Sequence, residues 1–434
     1  MRKGLAWASA LLAMPAITAV QQPPVAPVAA PSPAAQSPAA RITIEDAIRL
    51  ALQHNHALQA ARSTILQSQA LETTANLRPN PVLSWDAQFL PIFEPSKFDS
   101  NYIDNQGQFD LGLGYTFERG KKRQHRLQAA KNQTTVTRSQ VSDNERALVF
   151  NVTQQFVAVL LAQSTLDFAQ LNLDSFAKTV DIGQAQYKAG AMSEGDFLKI
   201  KLQLLQFQTD VSAAKLAKVQ ALAALRQFLG FESVPDVYDV DGQLDYQAVQ
   251  SGLDDLKALA LRSRPDLAAA QQSVTSARSQ ELLARANGKR DLTASFNYSH
   301  VAATNTGAFF FNIQLPIFDR NQGEIARTGF VITQAEQLAS ETSQQVVTDV
   351  VDAYQALRSS EQIVQLYRGG YVDQAKLSRD ISEYAYKRGA ASLLDYLDAE
   401  RTYRANQLAY RQALATYMSA LEQTRQAVGT RNLP

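Results

Sequence analysis

The chain has 434 residues, 42 Lys and Arg against 41 Asp and Glu for a formal net charge of +1, 45% apolar residues and no Cys. Balanced charge excludes the basic excess of a typical nucleic-acid binder. The lack of Cys excludes a disulfide framework, a thiol nucleophile, a thiolate zinc cluster and a lipidated N-terminal Cys.

Arg2 and Lys3 precede an apolar run from Leu5 to about Val20, which reads as a secretory signal over residues 1–20. Its removal takes away two positive charges, so the formal charge moves from +1 to −1. Residues 21–42 are a Pro/Ala-rich stretch too poor in bulky side chains to bury a core, and read as a linker. After the signal no run approaches the ~18 consecutive apolar residues of a spanning helix. A membrane crossing here has to use strands.

Residues 43–77 carry helical periodicity in two pieces, with Ala47, Ile48, Ala51 and Leu52 on the first face and a second piece from about His56 to Leu77. The period then falls to two. Leu83, Trp85, Ala87 and Phe89 alternate with Ser84, Asp86 and Gln88, and after a polar loop from Pro91 to Gln106 the residues Phe109, Leu111, Leu113, Tyr115 and Phe117 alternate with Asp110, Gly112, Gly114 and Thr116. From Gly120 to Tyr187 the helical period returns with no Pro, and Val152, Val159, Leu166, Leu173, Val180 and Tyr187 fall seven apart, the spacing of helices that coil on partners. A tight break follows over Lys188 to Gly195, and a return helix runs to about Leu229, ended by Gly230.

The whole pattern then recurs. Tyr187-Lys188-Ala189-Gly190-Ala191 with Asp196-Phe197-Leu198 returns as Tyr386-Lys387-Arg388-Gly389-Ala390 with Asp395-Tyr396-Leu397, a shift of 386 − 187 = 199; Glu118-Arg119 answers Asp319-Arg320 at a shift of 201. Residues 43–230 thus form a first repeat, 231–252 a connector and 253–434 a second repeat, which opens its second helix on Pro265 and Asp266 and supplies strands around Leu292–Ser299 and Phe309–Leu315. Val350, Leu357, Val364 and Tyr371 carry its heptads.

Four amphipathic strands cannot seal a barrel, because lipid leaves no backbone group unpaired and known barrels begin at about eight strands. Two copies would give a lumen filled by side chains, three a twelve-stranded barrel with room for water. A homotrimer is the expected assembly. The fold class is mainly α with membrane β: long helical hairpins plus four transmembrane strands per chain.

The duplicated helix-helix-strand-strand-helix-helix order, Arg264-Pro265-Asp266-Leu267, Leu315-Pro316-Ile317-Phe318-Asp319 and the two Tyr-Lys-x-Gly turns resemble the TolC family of outer-membrane efflux proteins over essentially all of residues 43 to 430. Phe117-Glu118-Arg119-Gly120-Lys121-Lys122-Arg123 is similar to the strand exit of its heavy-metal branch; His56 departs from the proline common there. The resemblance implies a passive exit duct in the outer membrane of a Gram-negative-type bacterium, with the helical hairpins forming a periplasmic tunnel. Its implied partners are a periplasmic membrane-fusion adaptor, an inner-membrane pump and outer-membrane lipid.

It also implies roles for single residues. Asp196 and Tyr386 become candidates for the hydrogen bond that closes the tunnel, with Tyr187 and Arg388 beside them, and Gly190, Ala191, Gly389 and Ala390 become adaptor-docking turns. An arginine usual in the closing contact is replaced by Ala391, leaving Arg388 as a substitute. Asp395 and Asp398, three apart on one helical face, would form carboxylate rings at the entrance that attract cations; the alternative is that Asp395 caps its turn and Asp398 pairs with Arg401. Arg119, Lys121, Lys122, Arg123 and Arg126, placed just after a strand, would meet anionic head groups or simply solvate a helix start.

His54, His56, His125 and His300 are scattered, and no phosphate loop, nucleophile elbow or metalloprotease helix occurs, so neither an enzyme, a cofactor, a metal site nor nucleic-acid binding is expected. The rivals are a periplasmic adaptor, which has one helical hairpin where this chain has two, and a structural envelope protein, which needs no lumen face.

Overall fold

The computed structural model describes residues 40–433. The expected signal peptide and residues 21–39 of the linker lie outside the described residues. The linker's last residues are ordered: Ala40–Ile42 form β1, paired in parallel with β4 (Tyr238–Val240) of the connector, because Ile42 and Val240 are both buried in the first core.

Each repeat opens as expected. In the first, α1 (Ile44–His54) starts on a capping box, Thr43 Oγ1 accepting from the Asp46 amide at 3.2 Å while the Asp46 carboxylate accepts from the Thr43 amide at 3.4 Å. Asn55 caps α2 (His56–Asn76). In the second, α6 (Leu253–Ser263) leads to α7 (Pro265–Asn287), with Pro265 in the first turn, where a missing N–H costs nothing.

The strands β2 (Val82–Gln88), β3 (Gln108–Phe117), β5 (Leu292–Val301) and β6 (Thr304–Ile313) form one antiparallel sheet in the order β2-β3-β5-β6. Its register puts Leu83, Leu113, Phe296 and Phe309 in one row and Trp85, Leu111 and Tyr298 in the next, all on one face. Trp85 is 69% exposed and Phe309 74%, a continuous greasy face with no protein over it. The other face carries Ser84, Gly112 and Asn297, then Asp86, Asp110, Ser299 and Thr306. Gly112 is not open space there, since a Cβ would collide with Ser84 Oγ and Asn297 Oδ1.

Two connections differ from expectation. The supposed polar loop between β2 and β3 contains a short 3-10 turn (Pro95–Lys97) and α3 (Ser100–Gln106), too brief for periodicity to reveal. β5 and β6 extend to a two-residue turn, Ala302-Ala303, both left-handed as a type I′ hairpin requires, so the fourth strand starts five residues before Phe309.

Beyond the sheet, α4 (Lys122–Lys188) runs 67 residues unbroken, roughly 100 Å at ~1.5 Å per residue, and α5 (Glu194–Leu229) returns beside it until Gly230, at φ +89°, stops it. By length and composition α4 could cross a bilayer. Its apolar run instead is core: Val152, Phe156, Val159 and Leu160 are buried with Ala47, Ile48, Leu225 and Leu229. Along the lower half the buried stripe is Phe168, Asn172, Phe176, Thr179 and Gly183, not the heptad series, whose Leu166, Leu173 and Val180 are half-buried and whose Tyr187 is exposed. A straight helix drifts about 20° per heptad from a strict seven-residue repeat, which moves the seam.

The second hairpin differs from the first. Its descending arm is α8 (Gln322–Leu366), a π-turn at Tyr367–Tyr371 and α9 (Val372–Lys387), returned by α10 (Leu393–Val428). The heptad path through Tyr371 suggests continuity, but Gly370 sits at φ +116° and breaks it. Near the turns the two hairpins share one core of Phe176, Ile200 and Phe207 with Leu393 and Tyr396.

Candidate functional site at the paired helical turns

Both turns are built alike. Gly190 and Gly389 each sit at φ +74°, which a side chain resists, and let the chain fold back: the Ala191 and Ala390 amides donate to the Gln186 and Ala385 carbonyls, both at 2.8 Å. Ser193 Oγ then accepts from the Asp196 amide at 3.1 Å, as Ser392 Oγ does from Asp395 at 3.2 Å, to start α5 and α10. Nothing lies within 4 Å of a Cβ added at either glycine, so the tips are bare.

Asp196 accepts from Ser193 Oγ at 2.9 Å and pairs with Lys199 at 3.1 Å; those hydrogen bonds, Lys199 first, hold its carboxyl below the ordinary value. Tyr386 is half-buried beside the shared core, and burial, with the negative charge of Asp196 second, raises its phenol above the ordinary value. The two groups feel each other inside one chain, yet among the described residues no hydrogen bond joins them. Tyr386 stacks on Tyr396, and Tyr187 on Phe197. Arg388, the candidate substitute for an arginine at Ala391, has its guanidinium over the Tyr384 ring, 4.7 Å from the centroid.

Asp395 and Asp398 are both exposed. Asp395 accepts from Ser392 Oγ at 2.7 Å and the Ser392 amide at 3.1 Å, which completes a capping box, and Asp398 pairs with Arg401 at 2.7 Å. Both contacts of the alternative reading are therefore present. They weigh differently. Asp395 repeats the local task of Asp196, whereas Asp398 occupies the place of Lys199 at the 199-residue shift, so the second turn carries an extra negative charge where the first carries a positive one. Its pair with Arg401 is well exposed, at 61% and 81%, and a pair in that setting contributes only ~0–1 kcal/mol.

The basic run is divided in use. Lys122 Nζ pairs with Asp291 at 2.8 Å, whose other oxygen accepts from the Arg119 amide at 2.9 Å. Arg126 pairs with Glu118 at 2.7 Å and donates to the Ala75 and Leu77 carbonyls, both at 2.9 Å. These contacts fasten strand exit to helix start. Lys121 and the Arg119 side chain are exposed, and Arg123 faces a cleft with Arg78, Tyr115 and Phe117.

Sequence reasoning missed a buried polar cluster just above the turns. Glu400, 6% exposed, lies 3.7 Å from Arg379, which sits over the Tyr403 ring at 4.5 Å, while Arg404 pairs with Asp210 and covers Phe207 at 4.2 Å. Burial raises the Glu400 carboxyl above its ordinary value against the pull of Arg379 and Arg404. The signal was present: Glu400 follows Leu393 and Tyr396 on the apolar face of α10, seven and four residues on.

A sequence profile of the outer membrane efflux protein family matches residues 47–231 and 256–430. The chain belongs to that family. Among relatives, it is 25% identical over 401 residues to the cobalt-zinc-cadmium resistance protein CzcC of Cupriavidus metallidurans, covering 90% of this chain and 88% of the relative. It is 21% identical to the pyoverdine export outer membrane protein OpmQ of Pseudomonas putida, covering 83% and 80%. A crystal structure of a membrane protein from Pseudomonas aeruginosa superposes with a TM-score of 0.73 at 20% identity, over 94% of this chain and 99% of that one, and shares its fold. As an outer-membrane efflux protein the chain is an exit channel of a tripartite exporter with a large periplasmic portion, not an enzyme, and it works with adaptor and pump components.

Proposed function

We propose that three copies of this chain close a twelve-stranded barrel over a helical tunnel whose inner end is gated at the paired turns. The single observation that carries the reading is the sheet β2-β3-β5-β6, greasy on one face, polar on the other and ending on two strand edges. In lipid an unpaired edge costs several kcal/mol per group, so β6 of one copy has to meet β2 of the next; a ring of such head-to-tail contacts closes, and 3 × 4 strands leave a watery lumen.

Within it, Asp196 and Tyr386 hold the second hairpin against the first, with Tyr187 flanking them, and the bare tips at Gly190, Ala191, Gly389 and Ala390 offer the adaptor its docking surface. With Ala391 in place and Arg388 engaged by Tyr384, the closing contact has no arginine, so a weakly held closed state follows. Asp398, with Asp395 one turn below it towards the tip, rings the entrance with carboxylates and favours cations. Lys121, Arg119 and Arg123 are the members of the basic run left to face lipid head groups.

The test is single-channel recording in planar bilayers with a trivalent cation added on the turn side. Asp398→Asn weakens the block; equal block in the variant and the parent discards the ring, and a detergent-solubilised protein that runs as a monomer discards the barrel.

A further inference from the structure

We infer that the junction of β3 and α4 holds the phosphodiester of one anionic phospholipid, from the leaflet facing the periplasm, between Arg78 and Arg123. The inference rests on the reading of the sheet as a barrel wall and of the basic run as facing lipid.

A cleft of about 220 Å³ opens where β3 ends and α4 begins. The charged side chains that line it are Arg78, Glu118, Lys122 and Arg123. Glu118 is taken by Arg126 at 2.7 Å and Lys122 by Asp291 at 2.8 Å. Arg78 and Arg123 are left over: among the described residues neither has an acid within ion-pair distance, although Arg123 is half-buried. A guanidinium offers paired N–H donors that match phosphate oxygens, and two of them without a counter-charge favour an anionic head group over a zwitterionic one. The first turn of α4 adds to this attraction, since Lys122 to Gln124 line the cleft and the turn has neither an acid nor a side-chain cap to meet its free amides and the positive end of the dipole.

The second repeat fills the same place differently. At the 201-residue shift Glu324 stands where the first repeat has Arg123, and it binds Arg327 at 2.6 Å, while Arg290 pairs with Asp319 at 3.2 Å. The first junction therefore puts a free cation where the second has a paired acid.

The cleft also opens towards lipid. Tyr115 and Phe117, edge to face with centroids 4.9 Å apart, line it, whereas Thr116 on the other face of β3 does not. That is the side of Leu111 and Leu113, 47% and 56% exposed, along which acyl chains run from a phosphate held at the strand's end. Aromatic rings at the end of a spanning strand mark the depth of the head groups. Assembly of the trimer adds β6 of the next copy to the edge of β2, in the plane of the sheet, and leaves this face uncovered.

The experiment is native mass spectrometry of the full protein in detergent, titrated with phosphatidylglycerol or with phosphatidylcholine. The parent retains one phosphatidylglycerol per chain in preference to phosphatidylcholine. Arg78→Gln with Arg123→Gln weakens that binding roughly thirty-fold, the worth of two basic side chains at an anionic surface, and the oligomer persists because neither arginine has an ion pair to lose. Arg119→Gln with Lys121→Gln, outside the cleft, has little effect. A double-arginine variant that binds as the parent does, or equal losses from the two pairs, overturns the cleft and keeps only a diffuse attraction to head groups. A parent that holds the two lipids alike overturns the head-group reading as well. Displacement of phosphatidylglycerol by millimolar inorganic phosphate makes the occupant a free anion and overturns the lipid assignment.

Discussion

The Tyr386 ring lies flat on that of Tyr396, centroids 5.4 Å apart and planes 6° from parallel, and 199 residues earlier Tyr187 lies on Phe197 in the same way, at 5.2 Å and 8°. The duplication is thus preserved at the level of ring against ring. What has changed is depth: Tyr396 is 3% exposed in the core shared by both hairpins where Phe197 is only half-buried, and Tyr386 is half-buried where Tyr187 is 39% exposed. The second pair joins the two hairpins; the first only closes its own turn.

Tyr386 therefore has two separable duties. Tyr386→Phe keeps the stack and loses the hydroxyl, so thermal stability is retained while open probability in bilayers rises. Tyr386→Ala also loses the stack, worth ~0.5–1.5 kcal/mol beyond buried area, and lowers the melting temperature as well. Identical melting curves for the two variants would count against a structural duty for the ring.

Arg264, 5% exposed at its side chain, pairs with Asp266 at 2.5 Å and with Asp349 at 2.7 Å, and ties the start of α7 to α8. Burial alone would raise the Asp266 carboxyl, but the hydrogen bond and charge of Arg264 outweigh it and hold it below the ordinary value. A carboxyl whose folded pKa is depressed stabilises the fold above its unfolded value, near 4, and loses that contribution as pH falls through the folded value. Arg264→Met leaves two acids without their partner and costs ~3–5 kcal/mol near neutral pH. Thermal melts at pH 7 and pH 3 check this, the gap between parent and variant narrowing in acid.

Much of this was legible in the chain. Period-two alternation in Leu83–Phe89 and Phe109–Phe117 fixed which face is greasy, and Gly190 and Gly389 marked both turns, because those signals are local. The β5–β6 turn was not, since Ala302-Ala303 carries none of the residues that favour left-handed backbone and is forced there by the pairing of its strands. Nor was the break in the second arm: Val350, Leu357 and Val364 keep their heptads up to it, and a pair of glycines does not say which of them will leave the helix. The partners of Lys122 and Arg126 depend on Asp291, 169 residues away, and on carbonyls at the end of α2. A cluster of positive residues in sequence says nothing about such distant acceptors.

Glu400 gives a pH dependence of opposite sign. Its folded pKa is raised, chiefly by burial, so its ionised form penalises the fold above the ordinary glutamate value and the penalty disappears as pH falls below it. Glu400→Gln removes the charge and keeps the shape. The variant should melt higher than the parent at pH 8 and together with it near pH 4; a parent that is the more stable at pH 8 would mean that the attraction of Arg379 and Arg404 exceeds the cost of burial.

The two faces of the sheet predict opposite responses to the same residue. Trp85 lies in the greasy row with Leu111 and Tyr298, so Trp85→Lys puts an ammonium into hydrocarbon at a cost of ~2–4 kcal/mol near the bilayer midplane. Ser295 lies on the polar face opposite Gly114, where added bulk meets water. Ser295→Lys should leave the heat-resistant oligomer intact and lower cation conductance through a more positive lumen, while Trp85→Lys should reduce the yield of that oligomer in membranes. Gel migration of unheated samples and bilayer recordings read the two effects separately. If Lys at position 295 were the more damaging to assembly, the assignment of the greasy face to lipid would be reversed.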